Sequence, residues 1–354
     1  MTTESAPLPE SIPAAVYQSQ RVVTIEQRPL AEPNPAQVVV EVSHCGICGS
    51  DLHLIDEGWG QSGDVLGHEW SGVVRSVGDS VVEFQPGDRV IGADSPRCGV
   101  CAACVAKKPS QCEDREPTTG HFDGAFATHV LADANTLLHI PDELGLREAA
   151  LAEPLAVALH AITRSGIEQG NSAIVFGAGP IGALIAAVLI QDGHQVTVVE
   201  PAEQRQELAR GIGAAAVLRP EELPSFDMGQ VDTLAEDAVH VVFECSGRRD
   251  AMESGFQQLR RGGVLVLVGT GIDRPRFDPT RMILLELTVR GAFVYDADGF
   301  DRALEMLSSG TLPTDLLIDQ AEYDLTGIAE AVDKLVRGEH SGKVMITPGG
   351  ADHD

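Results

Sequence analysis

Four cysteines in this chain are spaced Cys98-x2-Cys101-x2-Cys104-x7-Cys112, within a group of six that falls between residues 45 and 112. Neighbouring Cys-x-x-Cys pairs can wrap one tetrahedral ion, so the spacing argues for thiolate zinc ahead of disulfides. The first ten residues carry acid where a secretory leader has a basic segment, and no apolar run follows them. A reducing, cytoplasmic location is therefore expected, in which thiols stay free. An iron–sulfur centre also takes four cysteines, and an incidental thiol cluster is the bland alternative. With every position filled by protein no substrate can enter such a site, so its expected role is structural, pinning a loop that has no helix or strand pattern. Gly99 eases the tight turn, and Lys107 and Lys108 offset the charge of a tetrathiolate.

Upstream stands a second set, Cys45-Gly46-Ile47-Cys48-Gly49-Ser50-Asp51-Leu52-His53, followed by Gly67-His68-Glu69-Trp70-Ser71-Gly72. Cysteine, histidine and glutamate are side chains that hold a catalytic zinc, which needs three protein ligands and one open position. Alone, a His-Glu pair is far more often solvated or satisfied within a core. Ser50-Asp51 reads equally as a helix N-cap.

A third pattern is Gly177-Ala178-Gly179-Pro180-Ile181-Gly182, placed between a strand-like run at 173–176 and an apolar helical stretch at 183–190. That context turns a weak motif into a dinucleotide fingerprint: Gly177, Gly179 and Gly182 let the backbone approach a pyrophosphate at a helix N-terminus. The next strand, 195–199, ends at Glu200, eighteen residues beyond Gly182. A carboxylate there accepts ribose hydroxyls and repels a 2′-phosphate, which favours NAD over NADP, whereas Arg205 can meet a phosphate.

These groups need elements to carry them. Strands are expected at 38–42, through Val73, Val74 and Val77, and at 239–243 and 264–268, with a helix near 251–259 between the last two. Turns at 244–247 and at Gly269-Thr270-Gly271-Ile272 fall at strand C-termini, where open α/β sheets bind ligands. Cys245 reads as a small buried hydrophobe. Residues 173–190 carry no charge, but Gly177, Gly179, Pro180 and Gly182 interrupt them, so a buried strand, turn and helix explain the stretch better than a membrane span. The 354 residues exceed one core and suit two domains. The formal charge of −28, from 25 basic and 53 acidic side chains, excludes phosphate backbones and anionic membranes as first partners. Aromatics at 4% disfavour a base-stacking surface, and small molecules remain. The acid excess reads as a surface adaptation with no catalytic role, salt being one setting that would call for it.

Taken in order, Gly-Ile-Cys-x-Ser-Asp-x-His, Gly-His-Glu followed by a small residue and Gly, and the four-cysteine loop resemble the zinc-containing medium-chain alcohol dehydrogenases, along essentially the whole chain. The likeness is nearest to the butanediol and sorbitol dehydrogenase branch, through residues 46–53 and Glu153-Pro154-Leu155-Ala156-Val157-Ala158-Leu159-His160. It implies an α/β fold class: a GroES-like, mostly-β catalytic domain at 1–158, completed by 297–354, and a Rossmann domain with a doubly wound parallel sheet at 159–296. It also implies two Zn2+ per chain and NAD. Cys48 and His68 would be catalytic zinc ligands, with Glu153 or Glu69 the third, Cys45 outside the set, and Asp51 orienting a ligand histidine. Ser50 would touch the substrate oxygen, His53 would end a proton relay, Gly269 and Thr270 would line the nicotinamide, and Arg205 would lie against adenine. The segment 289–295 resembles the last sheet strand and its linker, and 299–307 with 343–347 a return to the first domain.

The implied activity is reversible hydride transfer from a secondary alcohol, diol or polyol to NAD, giving the ketone. A bulky cyclic or terpenoid alcohol, or an NADP-dependent reductase of the same fold, is the alternative. Zinc-free quinone and enoyl reductases have no use for these ligands, and a non-enzymatic role predicts their decay. Trp59, Trp70, Phe122 and Tyr295 are candidate pocket walls. Relatives form dimers or tetramers through an edge strand, a use that Phe293 and Val294 would suit, though a buried strand would suit them equally. The tails, 1–13 and 348–354, are expected to be loosely ordered.

Overall fold

The structure, a computed structural model, describes residues 8–92, 98–114, 123–226, 230–271 and 273–350. Phe122, Ile272 and the tail residues 1–7 and 351–354 lie outside the described residues.

Val38, Val39 and Val40 are fully buried on the strand Gln37–Gly46, which runs through a seven-stranded sheet. The order across it is Ile318–Tyr323, Lys343–Ile346, Gln37–Gly46, Glu69–Val77, Arg89–Gly92 and Leu137–His139, with His129–Asp133 also paired to Gln37–Gly46. All pairs are antiparallel except that between Ile318–Tyr323 and Lys343–Ile346. Register brings distant sequence together: Gly46 faces Glu69 on one side and Met345 on the other. A Cβ added to Gly46 would stand 2.3 Å from Glu69 Oε2 and 2.9 Å from Lys343 Cδ, so only glycine permits this approach. Strands Ser11–Ser19 and Val22–Pro29 form a separate antiparallel pair. Here the loose tail expected through residue 13 is corrected: Ser11, Ile12 and Pro13 pair with Pro29, Arg28 and Gln27, because burying Ile12 ties the segment down.

The second sheet has six parallel strands in the order Ala216–Leu218, Gln195–Val199, Ser172–Phe176, Val239–Glu244, Leu259–Leu267 and Thr288–Gly291. Numbered along the chain this is 3-2-1-4-5-6, a doubly wound arrangement whose switch point lies between Ser172–Phe176 and Val239–Glu244. The helix Pro180–Gln191 buries residues 182–189 throughout, which is why its sequence is apolar on every side. The helix expected near 251–259 is Arg249–Gln257, and Leu259 already begins the next strand.

Helix Ala152–Ser165 joins the two halves. Its Leu155, Ala158 and Leu159 pack in one core with Val175, Leu184 and Ile185 of the parallel-sheet half, so the boundary expected between 158 and 159 falls inside a continuous helix. The stretch 299–307 is likewise a helix, Gly299–Ser308, and its buried Phe300, Ala303, Leu304 and Leu307 join that same core rather than the first sheet. The return to the first sheet is made by Ile318–Tyr323 and Lys343–Ile346. Among the described residues no helix is long and apolar enough to cross a membrane.

Candidate metal centres and dinucleotide site

Cys48 ends the run out of strand Gln37–Gly46 and caps the helix Gly49–Ile55. The cap is therefore Cys48, not Ser50-Asp51; Asp51 is the third helical residue, and its Oδ2 accepts the Cys48 backbone N–H at 2.9 Å. Because the paired strand begins at Glu69, its leading residues come back beside Cys48, and donor atoms of Cys48, His68 and Glu69 all lie within 4.8 Å of one another. Asp51 is 1% exposed, and its second oxygen, Oδ1, has no hydrogen-bond partner. That oxygen stands 3.9 Å from His68 Nδ1. A metal on the other ring nitrogen would leave the hydrogen on Nδ1, facing the Asp51 carboxylate, which at 3.9 Å is an electrostatic neighbour and not a hydrogen-bond acceptor. Thiol, imidazole, carboxylate and this orphaned oxygen fit a zinc ion.

Charge in the pocket is dense. Burial alone would depress the His68 imidazole, but the Cys48 thiol, Asp51 and Glu153 hold it well above its ordinary value. Burial pushes the Glu153 carboxyl up to about 7 against the opposing pull of His68. Glu153 sits in the first turn of helix Ala152–Ser165 and faces His68 electrostatically, but it is outside the 4.8 Å group. Glu69 is fully buried, and Lys343 Nζ lies 2.7 Å from its Oε1 and 2.5 Å from its Oε2, while also donating to Ile47 O at 3.0 Å. Lys343 belongs to no motif. Its signal in the sequence is a lysine opening the apolar run Val344-Met345-Ile346 in a chain with lysine at only four positions. Cys45 is fully buried, and burial raises its thiol well above the usual range.

Cys98, Cys101, Cys104 and Cys112 bring their sulfurs within 4.8 Å of one another. Gly99 turns the loop at φ +72°, and the backbone N–H groups of Cys98 and Cys101 point at Cys112 Sγ and Cys98 Sγ, each at 3.3 Å. The backbone N–H groups of Cys104 and Glu113 lower the Cys101 thiol to about 6. Amides converging on sulfur favour thiolates, the form that binds zinc.

In the parallel sheet, Gly177 adopts φ +88°, and a Cβ on Gly182 would stand 1.9 Å from Gly177 O. Gly179 caps the helix and Pro180 opens it, with Ile181 half-buried in its first turn. Glu200, 3% exposed, closes this turn: its carboxylate accepts Ala178 N–H at 2.8 Å and Ala202 N–H at 2.9 Å. Arg205, expected against adenine, is turned elsewhere. Its guanidinium donates to the carbonyls of His340 and Leu335, both at 3.3 Å, because the C-terminal segment passes over its helix. Gly269 and Thr270 interlock with the neighbouring turn, since a Cβ on Gly247 would meet Thr270 O at 2.1 Å. Buried Glu244, a group without any motif signal, braces that turn by accepting the N–H groups of Ser246 at 2.8 Å and Gly247 at 3.1 Å.

Of the candidate substrate-side groups, Ser50 is exposed and His53 is partly covered. His53 stacks on Trp59. The other two described aromatics are core residues: Trp70 packs under Gly92, where a Cβ would be 2.3 Å from its ring, and Tyr295 is 3% exposed, edge-on to Phe300.

Residues 34–142 match the alcohol dehydrogenase GroES-like domain and residues 180–309 the zinc-binding dehydrogenase domain. The chain is 31% identical to sorbitol dehydrogenase of Bacillus subtilis (strain 168), over 96% of its own length and 98% of that protein's. It is 33% identical to 2-dehydro-3-deoxy-L-galactonate 5-dehydrogenase of Pseudoalteromonas atlantica, over 84% of this chain and 88% of the other. The crystal structure of 2R,3R-butanediol dehydrogenase from Bacillus subtilis superposes with a TM-score of 0.82 at 28% identity, covering 96% of this chain and 100% of that one. Two domain matches in the expected order, with relatives similar over nearly the whole length, establish that the chain belongs to the zinc-binding alcohol dehydrogenases with a GroES-like domain.

Proposed function

We propose that the protein oxidises a secondary alcohol, diol or polyol to the ketone, reversibly, with NAD as hydride acceptor. The observation that carries this reading is the convergence of Cys48, His68 and a buried, unpartnered Asp51 oxygen at one end of the first sheet. Cys48, His68 and Glu153 are the residues we assign to the catalytic zinc. Lys343 neutralises Glu69 and hydrogen-bonds its Oε1, and on that ground we place Glu153 ahead of Glu69, although Glu69 is the carboxylate within 4.8 Å of Cys48 and His68 and keeps Oε2 without a hydrogen bond. The chemistry a zinc ion supplies to such a site is Lewis acidity, which lowers the cost of removing a proton from an alcohol oxygen.

This chain's own residues supply the rest. Ser50 hydrogen-bonds the substrate hydroxyl and accepts its proton as it gives up its own hydroxyl proton toward His53, His53 passes a proton outward, and Asp51 orients the His68 ring. The N-terminus of helix Pro180–Gln191 receives the pyrophosphate, buried Glu200 braces the turn beside it through the Ala178 and Ala202 N–H groups and sets a negative charge where a 2′-phosphate would come, and Gly269 and Thr270 border the nicotinamide. Cys98, Cys101, Cys104 and Cys112 would hold a second, structural zinc. The relatives named for sorbitol and butanediol support an open-chain polyol or diol, and the burial of Trp70 and Tyr295 removes two aromatic walls that a bulky cyclic substrate would use.

Edge strand Thr288–Gly291, flanked by exposed Ile283, Leu284 and Phe293, is the surface through which we expect two chains to pair. Free thiols at the metal sites suit a cytoplasmic location. The test is metal analysis with an NAD-reduction screen over diols, polyols and cyclic alcohols. About two zinc per chain and turnover of an open-chain diol or polyol are expected, with loss of turnover in folded Cys48→Ser and His68→Ala. Full turnover in those variants would sink the reading.

A further inference from the structure

We propose that Glu57 and Trp59 are positioning residues for His53, holding its imidazole in the orientation and tautomer that a proton acceptor needs. The proposal rests on the dehydrogenase reading above, in which His53 carries the substrate proton outward. Three features of the chain bring these side chains together. Glu57 follows His53 by four residues, just past the end of helix Gly49–Ile55, and its Oε1 lies 2.9 Å from His53 Nδ1. The chain then turns at Gly58, where φ is +80°, and Trp59 N–H returns to His53 O at 3.3 Å. The indole comes to rest parallel to the imidazole, with ring centroids 4.9 Å apart and an interplanar angle of 14°. Trp59 remains 47% exposed, so a place in the core does not account for it; covering one face of His53 does.

His53 Nδ1 is closed off from solvent and makes no hydrogen bond among the described residues; the Glu57 carboxylate, 2.9 Å away but out of line for a hydrogen bond, is the charged group that faces it. The other charged groups nearby are committed. Asp51 is turned to the Cys48 N–H and His68, and Asp56 pairs with Arg21 at 2.6 Å. On helix Ile328–Val336, which packs against this one, Lys334 pairs with Glu330 at 2.7 Å. A carboxylate facing Nδ1 keeps the hydrogen there and leaves the lone pair on Nε2. In the transfer step an O–H bond of the relay breaks and an Nε2–H bond forms. The resulting imidazolium is held between the Glu57 carboxylate and the indole face, and then gives the Nε2 proton to water, which restores the starting tautomer.

The test uses the full-length, zinc-loaded protein as wild type, Glu57→Ala, Glu57→Gln, Trp59→Leu, Trp59→Phe and His53→Ala. Long-range 1H–15N imidazole spectra are recorded, with His53 assigned by its loss in His53→Ala, and kcat and KM are measured on sorbitol and 2,3-butanediol. The wild type should show His53 protonated on Nδ1. Glu57→Ala should move it toward the Nε2-protonated form and lower kcat about tenfold with KM within about twofold, a fraction of the 10²–10⁴ that a general base contributes. Glu57→Gln, which keeps an acceptor, should restore the tautomer. Trp59→Leu should lower kcat severalfold and Trp59→Phe recover most of it. If His53→Ala lowers kcat while Glu57→Ala changes neither tautomer nor kcat, the relay stands and the positioning role is wrong. If His53→Ala leaves kcat intact, the relay reading fails and takes the positioning role with it.

Discussion

Lys343 Nζ lies 2.7 Å from Glu69 Oε1, with 1% and 0% of the two residues exposed, so an ammonium and a carboxylate face each other in the floor of the candidate catalytic site. The pair is 274 residues apart in sequence and is made by strand pairing alone. Burial alone would lower the Lys343 ammonium, yet Glu69 and Cys48 raise it above its ordinary value. Removing one partner strands the other charge. Lys343→Met should destabilise the fold by about 3–5 kcal/mol, and Lys343→Met with Glu69→Gln by clearly less, because no uncompensated charge then remains buried. Denaturant unfolding of both variants checks this, and equal losses would show that the charges are not coupled.

Zinc content separates the two metal assignments. Cys101→Ser removes a sulfur from the four-cysteine group without touching Cys48 or His68. Metal analysis should fall from about two zinc per chain to about one, and the loop should become a protease target, since structural zinc contributes folding free energy directly. His68→Ala should also lose one zinc yet keep protease resistance and cofactor binding. Loss of both ions in either variant would contradict two independent sites.

The four-cysteine loop and the nucleotide turn are legible in the sequence because each occupies a short motif whose spacing reflects one local turn, whereas Cys48 and His68, joined by strand pairing, are legible only through the family resemblance. Cys98 to Cys112 needs only its loop, and Gly177 to Gly182 only the passage from strand to helix. What sequence could not carry was long-range pairing. Lys343 reaches Glu69 through the register of three strands, and Arg205 reaches Leu335 and His340 because the C-terminal segment folds back over its helix. Helix ends show the same limit: Asp51 was legible as part of a cap, but its reach back to the Cys48 N–H depends on where the helix begins. Trp70 and Tyr295 looked like pocket walls since an aromatic's composition says nothing about which side of a sheet it faces; the packing of Gly92 and Phe300 decides it.

An acid-sensitive contribution should come from Asp324. Its Oδ1 accepts Thr326 Oγ1 at 2.6 Å and the N–H groups of Thr326 at 2.8 Å and Gly327 at 3.1 Å, and these bonds, the hydroxyl first, lower its carboxyl below the ordinary aspartate value. A depressed native value means that the unfolded state takes up the proton first as pH falls. The stabilisation is therefore complete above about pH 4 and disappears on further acidification through the native value. Asp324 is exposed, so the effect is small: Asp324→Ala should cost at most about 1 kcal/mol at pH 7, and less as acid carries the carboxyl through its native value. Unfolding free energies of both proteins across pH 2–7 would show curves converging at the acid end; parallel curves would rule the cap out as their cause.

Arg205 offers a choice between two roles. As a cofactor contact it would set the preference between NAD and NADP, but its guanidinium donates to Leu335 O and His340 O, each at 3.3 Å. Those two carbonyls lie just ahead of Lys343, so the side chain ties the nucleotide half to the segment that reaches the metal donors. Arg205→Ala leaves both acceptors without this donor and removes packing along the arginine stem, which places the expected loss at about 1–3 kcal/mol of stability. The ratio of kcat/KM for NAD to that for NADP should change less than about threefold, since each tenfold change needs about 1.4 kcal/mol of differential binding. A large shift of that ratio without loss of stability would return Arg205 to the cofactor and make its contacts with the C-terminal segment incidental.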